Sequence, residues 1–294
     1  MLLSKLLTKT SFDSYQDFKE NYELHVPSNF SFPRDVVDAW AEAEPNKRAL
    51  VYLDDHGHRR EFSFQEMSCL SKKAASYLQS LGLQKGDRVL LILKRNWEYW
   101  VTALALHRLG VVLIPASIQL TAKDISYRVN AADIRMIIAT DETWTLEQIE
   151  QAKPQCPNLR YLALCRGQRE GWLDYSKGIE EADESFVAPQ LRNSDILIIY
   201  FTSGTTGMPK MVVHDQTYPL GHIVTARFWQ RVENNGLHLT VSDSGWAKFG
   251  WGCIYGQWIA GTAVLGYDMD NKFNARNLIN VIATERPTTV CVPP

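Results

Sequence analysis

Residues 86–115 read GDRVLLILKRNWEYWVTALALHRLGVVLIP and contain two apolar runs on either side of a helical segment. The first run, residues 88–93, has the continuous apolar character of a strand that is buried on both faces. A helix is predicted from about Asn96 to Gly110, and residues 111–115 are predicted to form the next strand. The order strand, helix, strand indicates a parallel β-α-β unit with a right-handed crossover.

The same alternation continues on both sides of this unit. Capping boxes at Ser63 and Thr121 open helices, and further strands are predicted at residues 135–140 and 159–165. A second α/β unit is predicted to contribute strands at residues 196–201, 210–213, 237–241, 262–266 and 288–292. The predicted fold class is therefore α/β, with two doubly wound, mostly parallel sheets packed together.

The chain is predicted to divide into three segments. Residues 1–60 form an N-terminal extension with a hairpin that packs on the second subdomain, residues 61–185 form the first α/β subdomain, and residues 186–294 form a truncated second one. One helix is predicted at residues 245–259 within the second subdomain.

Composition and charge exclude several classes of protein. With 31 Lys and Arg against 33 Asp and Glu among 294 residues, the net charge of −2 gives no basic field for nucleic acid. The uncharged residues 250–267 contain five glycines, which favours a buried helix and strand over a membrane span. Five cysteines without a CxxC pair indicate a reducing compartment, and the N-terminal apolar run is too short for secretion, so a cytoplasmic location is predicted. The seven histidines offer no ligand cluster, His56 and His58 fit a turn better than a metal site, and no metal site is predicted.

The loop at residues 202–210, TSGTTGMPK, combines four hydroxyls, two glycines and one lysine between two apolar strands. Glycines let consecutive backbone N–H groups face an anion, hydroxyls add donors and a lysine adds charge, which together suit a polyphosphate. Walker A spacing is absent, because two residues separate Gly207 from Lys210 and a strand follows, which disfavours a P-loop kinase. An ordinary Ser/Thr/Gly turn with a solvated lysine is the alternative, and the position after a buried strand argues against it.

The residues that carry this loop also resemble a known family. Residues 200–210, YFTSGTTGMPK, resemble the signature [YF]TSG[TS]TGxPK of the adenylate-forming superfamily. Residues 60–66, 86–89 and 109–115 are similar to the upstream motifs of that family in the same order. The segment 242–248, SDSGWAK, resembles the SDxGW segment of medium-chain and acetyl-type acyl-CoA synthetases.

The resemblance implies an acyl-CoA synthetase that uses ATP with Mg²⁺ and coenzyme A to activate a small carboxylic acid through an acyl-adenylate. It assigns the ATP phosphates to a set of loop residues, with Lys210 also catalytic: Thr202, Ser203, Gly204, Thr205, Thr206, Gly207 and Lys210. It assigns an acyl or pantetheine pocket to Trp246, Ala247, Phe249 and Gly250. Trp246 has a second interpretation as an ordinary core aromatic residue.

Several motifs of the family have no match in this sequence: the YGxTE motif for adenine and Mg²⁺, the ribose-binding Asp, the hinge and the C-terminal lysine that activates the carboxylate. The resemblance therefore implies the first half of such an enzyme, without its third subdomain and C-terminal lid, and inactive alone. The alternative is a non-catalytic nucleotide-binding or regulatory remnant of the same fold. Acyl chain length and oligomeric state are not predicted.

Overall fold

The computed structural model describes residues 2–203, 207–270 and 273–293. In chain order, the strands are β1 (Arg48–Asp54), β2 (Arg59–Ser63), β3 (Arg88–Ile92), β4 (Val112–Pro115), β5 (Met136–Thr140), β6 (Tyr161–Cys165), β7 (Leu173–Asp174), β8 (Ile196–Thr202), β9 (Lys210–Asp215), β10 (Leu237–Thr240), β11 (Ala263–Asp268) and β12 (Thr289–Cys291).

The helices alternate with these strands over most of the chain. They are α1 (Leu3–Leu6), α2 (Tyr15–Asn21), α3 (Ala39–Ala43), α4 (Phe64–Ser80), α5 (Trp97–Leu109), α6 (Ala122–Ala131), α7 (Thr143–Ala152), α8 (Tyr175–Glu181), α9 (Tyr218–Ile223), α10 (Ala247–Cys253), α11 (Tyr255–Ile259) and α12 (Ala275–Glu285). Short π-helical segments lie at Pro33–Asp38 and Val224–Trp229, and a 3₁₀ turn lies at Lys153–Gln155.

The strands form two sheets, as predicted. The seven-stranded sheet has the order β7-β6-β5-β3-β4-β8-β9, and all its pairs are parallel except β8–β9. The five-stranded sheet has the order β12-β10-β11-β1-β2, and all its pairs are parallel except β1–β2. The prediction of an α/β fold with two mostly parallel sheets is confirmed.

Sheet membership differs from the prediction at one place. The sequence pattern assigns β8 and β9 to the start of the second α/β unit, but β8 pairs in parallel with β4 and completes the seven-stranded sheet. Strand β8 is buried along most of its length, which suits an interior position beside β4, whose own residues are all buried. The assignment of these two strands to the sheet of the second subdomain is therefore wrong, whereas the three segment boundaries remain a proposal.

Helix α5 forms the layer between the two sheets. Every residue of α5 except Trp97 is buried, including Glu98 and Arg108, so the helix has no face turned to solvent. The indole of Trp100 donates a hydrogen bond to the carbonyl of Cys253 at 2.8 Å and packs against β11, where a Cβ at Gly266 would lie 2.7 Å from the ring. The glycine at position 266 thus allows α5 to approach the five-stranded sheet closely.

The predicted helix at residues 245–259 is broken at Ile254, whose φ of −140° and ψ of −73° are not helical. The break separates α10 from α11 and lets Gly256 approach the backbone of α9, where a Cβ would lie only 2.2 Å from the carbonyl oxygen of His222. The sequence pattern alone did not indicate this break, because both halves continue the same apolar character.

A partly buried ion pair ties the N-terminal region to the buried Arg108 of α5. The guanidinium of Arg108 donates to both carboxylate oxygens of Asp38, at 2.8 and 2.6 Å, and to the hydroxyl of Ser71 at 3.0 Å. Burial raises the pKa of the Asp38 carboxyl, but the bonds from Arg108 and Ser68 outweigh burial and hold this pKa below its usual value.

Replacing Asp38 by alanine is expected to reduce the free energy of unfolding by about 3–5 kcal/mol, because the buried Arg108 charge loses its partner. Urea unfolding at neutral pH measures this loss. Since the folded pKa of Asp38 lies below the unfolded one, its contribution is present above about pH 4 and is lost as the pH falls through the folded value. As a matched control, Lys177→Ala removes an exposed pair with Glu181 and is expected to cost under about 1 kcal/mol; equal costs for the two variants would contradict the prediction.

Candidate functional site

The two sheets meet at a cleft built by loops that follow the carboxyl ends of parallel strands. The cleft has a volume of about 400 Å³ and includes residues after β3, β4, β5, β10 and β11: Lys94, Arg95, Ile118, Glu142, Asp243 and Asp270. Ligands of open α/β sheets bind outside the carboxyl ends of the strands. This cleft is therefore the principal candidate site.

The walls of the cleft carry cations that sequence reasoning did not single out. The ammonium of Lys94 lies 3.1 Å from a carboxylate oxygen of Glu142. The guanidinium of Arg95 donates to the backbone carbonyls of Tyr267 at 2.8 Å and Ser242 at 3.2 Å, so it bridges the two sheets. The sequence signal that could have identified Lys94 and Arg95 is their position directly after a predicted buried strand.

Behind the cleft lies a buried carboxyl group. Asp268 ends β11, and its carboxylate accepts a hydrogen bond from the side-chain amide of Asn96 at 2.8 Å. Burial raises the pKa of Asp268, while the charges of Lys94 and Arg95 act in the opposite direction. Burial thus disfavours the charged form of the Asp268 carboxyl, although Lys94 and Arg95 lie close to it.

The predicted phosphate loop joins β8 to β9 at this same edge of the seven-stranded sheet. Thr202 ends β8 and pairs with Lys210, which begins β9. Thr202, Ser203, Gly207 and Lys210 are all exposed, and the Lys210 ammonium forms no ion pair with any residue that the structure describes. Gly204, Thr205 and Thr206 lie outside the described residues.

The base of the hairpin is held by α6. The hydroxyl of Tyr127 donates to the carbonyl of Pro209 at 3.0 Å, and the guanidinium of Arg128 lies 5.2 Å from the ring centre of Phe201. Gly207 has a φ of +98°, a conformation that favours glycine. The loop thus presents hydroxyls and a lysine to solvent from an anchored support, an arrangement that can bind an external anion.

The predicted acyl pocket is divided between surface and core. Trp246 is 65% exposed, so it is not a core aromatic residue, and Ala247 is half-buried. Phe249 is buried, with its ring centre 4.7 Å from that of Tyr99. Gly250 is also buried, and a Cβ there would lie 2.3 Å from the hydroxyl of Tyr200. Phe249 and Gly250 are therefore buried, whereas Trp246 and Ala247 expose surface, and the assignment of all four to a substrate pocket stays a prediction.

The contact between Gly250 and Tyr200 makes a quantitative prediction. The Tyr200 hydroxyl is buried, and its interaction with the hydroxyl of Tyr218 is weak, so Tyr200→Phe alone is expected to cost no more than about 1.5 kcal/mol. Gly250→Ala places a methyl group against that hydroxyl and is expected to cost about 1–3 kcal/mol. In Tyr200→Phe the nearest atom of that ring would lie 3.6 Å from the new Cβ, while the ring of Tyr255 stays 3.3 Å away, so the double variant is expected to recover part of the loss.

Thermal or urea unfolding of the two single variants and the double variant completes this thermodynamic cycle. Additive effects, with no recovery in the double variant, would show that the side chain at position 250 does not meet the Tyr200 hydroxyl.

Two further features concern metal ligation and membrane spanning in the described part of the chain. Across residues 2–203, 207–270 and 273–293, no group of three or more His, Cys, Asp or Glu side chains is arranged to hold a metal ion. None of the helices described there is both long and apolar enough to cross a membrane.

Comparison with known proteins places these observations in a family. The description "AMP-binding enzyme" belongs to the family that matches residues 37–294. The mitochondrial acyl-coenzyme A synthetase ACSM3 of Pongo abelii is 33% identical over 299 residues, which cover 99% of this chain and 50% of that protein. The mitochondrial acyl-coenzyme A synthetase ACSM4 of Rattus norvegicus is 35% identical, with 92% of this chain and 48% of that protein covered.

Solved structures agree at the level of the fold. The anthranilate CoA ligase AuaEII in complex with anthranoyl-AMP superimposes with a TM-score of 0.81 over 90% of this chain and 49% of that one, at 21% identity. An acyl-CoA synthetase of Brucella canis superimposes with a TM-score of 0.80 over 90% of this chain and 47% of that one, at 20% identity. The chain spans about half the length of the curated relatives it matches. The resemblance drawn from the sequence is confirmed at the level of the family: the chain belongs to the AMP-binding enzyme family, and the curated relatives are named acyl-coenzyme A synthetases.

Proposed function

We propose that a protein carrying this chain is an ATP-dependent acyl-CoA synthetase and that this chain supplies the phosphate-binding part of its site. The observation that carries the proposal is Lys210, which is exposed at the base of the signature loop and forms no ion pair with a described residue. A preorganised cation and hydroxyl donors stabilise charge that develops on a departing phosphate group. Support comes from relatives that are named acyl-coenzyme A synthetases.

The proposed reaction has two steps. A carboxylate oxygen attacks the α-phosphorus of ATP, forming an acyl-AMP and breaking the bond to pyrophosphate, which leaves with the electron pair. The sulfur of coenzyme A then attacks the acyl carbon, the bond to AMP breaks, and the thiol proton passes to solvent. The β and γ phosphates would be held by the loop residues Thr202, Ser203, Gly204, Thr205, Thr206, Gly207 and Lys210.

The other substrates are proposed to enter the adjacent cleft. Trp246 presents an exposed apolar surface at the start of α10, which suits an acyl chain or the pantetheine of coenzyme A. Mg²⁺ would arrive with ATP as part of that substrate, since the described residues offer no acidic cluster for it. The small carboxylic acid, ATP and coenzyme A are the proposed partners, and a reducing compartment suits the five free cysteines.

The second candidate is a nucleotide-binding remnant that performs no chemistry. It is compatible with this sequence, which carries the phosphate loop without a match to the family's carboxylate-activating lysine. The two candidates differ in one property, because both bind ATP but only a synthetase consumes it in the presence of a carboxylic acid.

The experiment measures AMP and acyl-CoA formation from ATP, coenzyme A and a panel of acids: acetate, butyrate, octanoate, palmitate and benzoate. It is performed on the full-length natural protein that contains this chain, which is called the longer protein below. Acid-dependent formation of AMP and acyl-CoA in equal amounts is the expected result. Binding of ATP without product from any acid would support the remnant instead.

A further inference from the structure

Residues 242–245 follow β10 of the five-stranded sheet and contact residues that follow β3 and β4 of the seven-stranded sheet. Two of its contacts reach the end of β3. The carbonyl of Ser242 accepts the bond from Arg95 at 3.2 Å. The buried hydroxyl of Ser244 donates to the carbonyl of Leu93. These contacts fix one side of the segment.

Asp243 fixes the other side, at the end of β4. One carboxylate oxygen accepts a hydrogen bond from the hydroxyl of Ser117 at 2.9 Å, and the other accepts the backbone N–H of Gly245 at 2.7 Å. The two backbones touch at this point, because a Cβ at Gly245 would lie 2.1 Å from the backbone nitrogen of Ser117. Only glycine allows this approach, and the Asp243 carboxylate bonds across it.

Trp246 takes its position from this junction. Its backbone N–H donates to the carbonyl of Asp243 at 3.2 Å, and it is the residue from which α10 begins. Because the indole is 65% exposed, packing against the core contributes little to its placement. Its location therefore depends on the hydrogen bonds of the residues before it.

We propose that Asp243 is a positioning residue that holds residues 242–246 against Ser117 and so fixes Trp246 next to Asp243 and Ser244, which line the cleft proposed for the carboxylic acid. The part that concerns the acid rests on the proposed function. Although Asp243 lines the cleft, its two carboxylate oxygens are bonded to Ser117 and to the backbone of Gly245, so it acts through Ser117 and Trp246. Its loss weakens binding of the acid without changing the phosphate loop, which lies on the separate hairpin β8–β9.

Asparagine at position 243 is expected to keep the two hydrogen bonds of Asp243, whereas alanine is expected to lose them. In Asp243→Asn the new amide oxygen can accept the N–H of Gly245, and the new NH₂ group can donate to the hydroxyl of Ser117, which also serves as an acceptor. Alanine removes both bonds. Ser117→Ala removes only one of them and is the milder variant.

Hydrogen–deuterium exchange of the 294-residue chain tests the contact without any need for turnover. In Asp243→Ala the amides of Gly245 and Trp246 are expected to exchange at least about tenfold faster than in the wild type. Asp243→Asn is expected to restore protection to within about threefold, and Ser117→Ala is expected to fall between the two. The matched control is Asp215→Ala. The Asp215 carboxylate accepts the backbone N–H of Thr217 at 2.9 Å in a similar local turn, which is distant in the chain from residues 242–246.

Unchanged exchange at Gly245 and Trp246 in Asp243→Ala, or equal loss in Asp215→Ala, would overturn the proposal. So would failure of asparagine to restore protection, because a role in the general stability of the fold does not predict this difference between asparagine and alanine.

Kinetics of the longer protein test the consequence for the substrate. Asp243→Ala is expected to raise KM for the acid about tenfold, with kcat and KM for ATP changed less than about twofold. If the wild type forms acyl-CoA and the variant has an unchanged KM for the acid, the positioning role is wrong and the proposed function stands. If the wild type forms no acyl-CoA, the proposed function fails together with the assignment to an acid, whatever the exchange experiment shows.

Discussion

Replacing Lys210 by alanine is expected to lower kcat/KM for ATP by about 10²- to 10³-fold in the longer protein. The ammonium begins β9 at the end of the signature loop, is exposed, and has no competing carboxylate among the described residues. Its charge is therefore available to the phosphates. The stabilisation that it provides increases as negative charge develops on the departing pyrophosphate. Initial rates at varied ATP concentration, with the acid and coenzyme A saturating, measure the effect.

The control for this prediction is Lys153→Ala. Lys153 is also exposed, but it follows α7, at the edge of the sheet opposite the cleft. Unchanged ATP kinetics are expected for this variant. If Lys210→Ala behaves like Lys153→Ala, the loop is an ordinary turn with a solvated lysine.

The 294-residue chain alone is expected to release no pyrophosphate above background with any acid, which is a complete loss relative to the longer protein. The sequence has no match to the family's carboxylate-activating lysine or to its adenine motif, and the chain spans about half of its relatives. Residues that act together in transition-state stabilisation contribute non-additively, so the phosphate loop alone gives little turnover. A coupled assay for pyrophosphate measures this, with circular dichroism to establish that the chain is folded.

Acid-dependent pyrophosphate release by the purified 294-residue chain would contradict this expectation. Such a result would require the residues described here to activate the carboxylate by themselves.

The order of helices and strands was accessible from the sequence because it depends on local patterns. The capping box at Ser63 forms as predicted, with the Glu66 side chain accepting the backbone N–H of Ser63 at 2.8 Å. Helix α5 ends at Gly110, which has a φ of +63°. These signals lie within a few residues of each other, so no knowledge of the tertiary fold is needed.

Sheet membership was not accessible in the same way. Strand β8 has the apolar character of a buried strand in either sheet, and its parallel partner β4 lies far away in sequence, with Leu113 opposite Ile198. Which of the two sheets β8 joins depends on how the whole chain packs. The orientation of Phe249 and Gly250 toward the core has the same origin, since their neighbours Tyr99 and Tyr200 come from distant elements of the chain.

The candidate site was predictable where a continuous motif carries it and hidden where two sheets build it. The loop at residues 202–210 is one segment with an evident chemical composition. The cleft, by contrast, brings Arg95 against the carbonyls of Ser242 and Tyr267, and Ser117 against Asp243. No spacing in the sequence relates these residues, because they meet only when the sheets pack together.

The central claim is that the signature loop of this chain binds ATP phosphates during carboxylate activation. Exchange of labelled pyrophosphate into ATP, measured in the longer protein across the panel of acids, tests it most directly. We expect exchange that requires a carboxylic acid, does not require coenzyme A, and falls about 10²-fold or more in Lys210→Ala. Absence of exchange with every acid, or exchange that proceeds equally without Lys210, would contradict it.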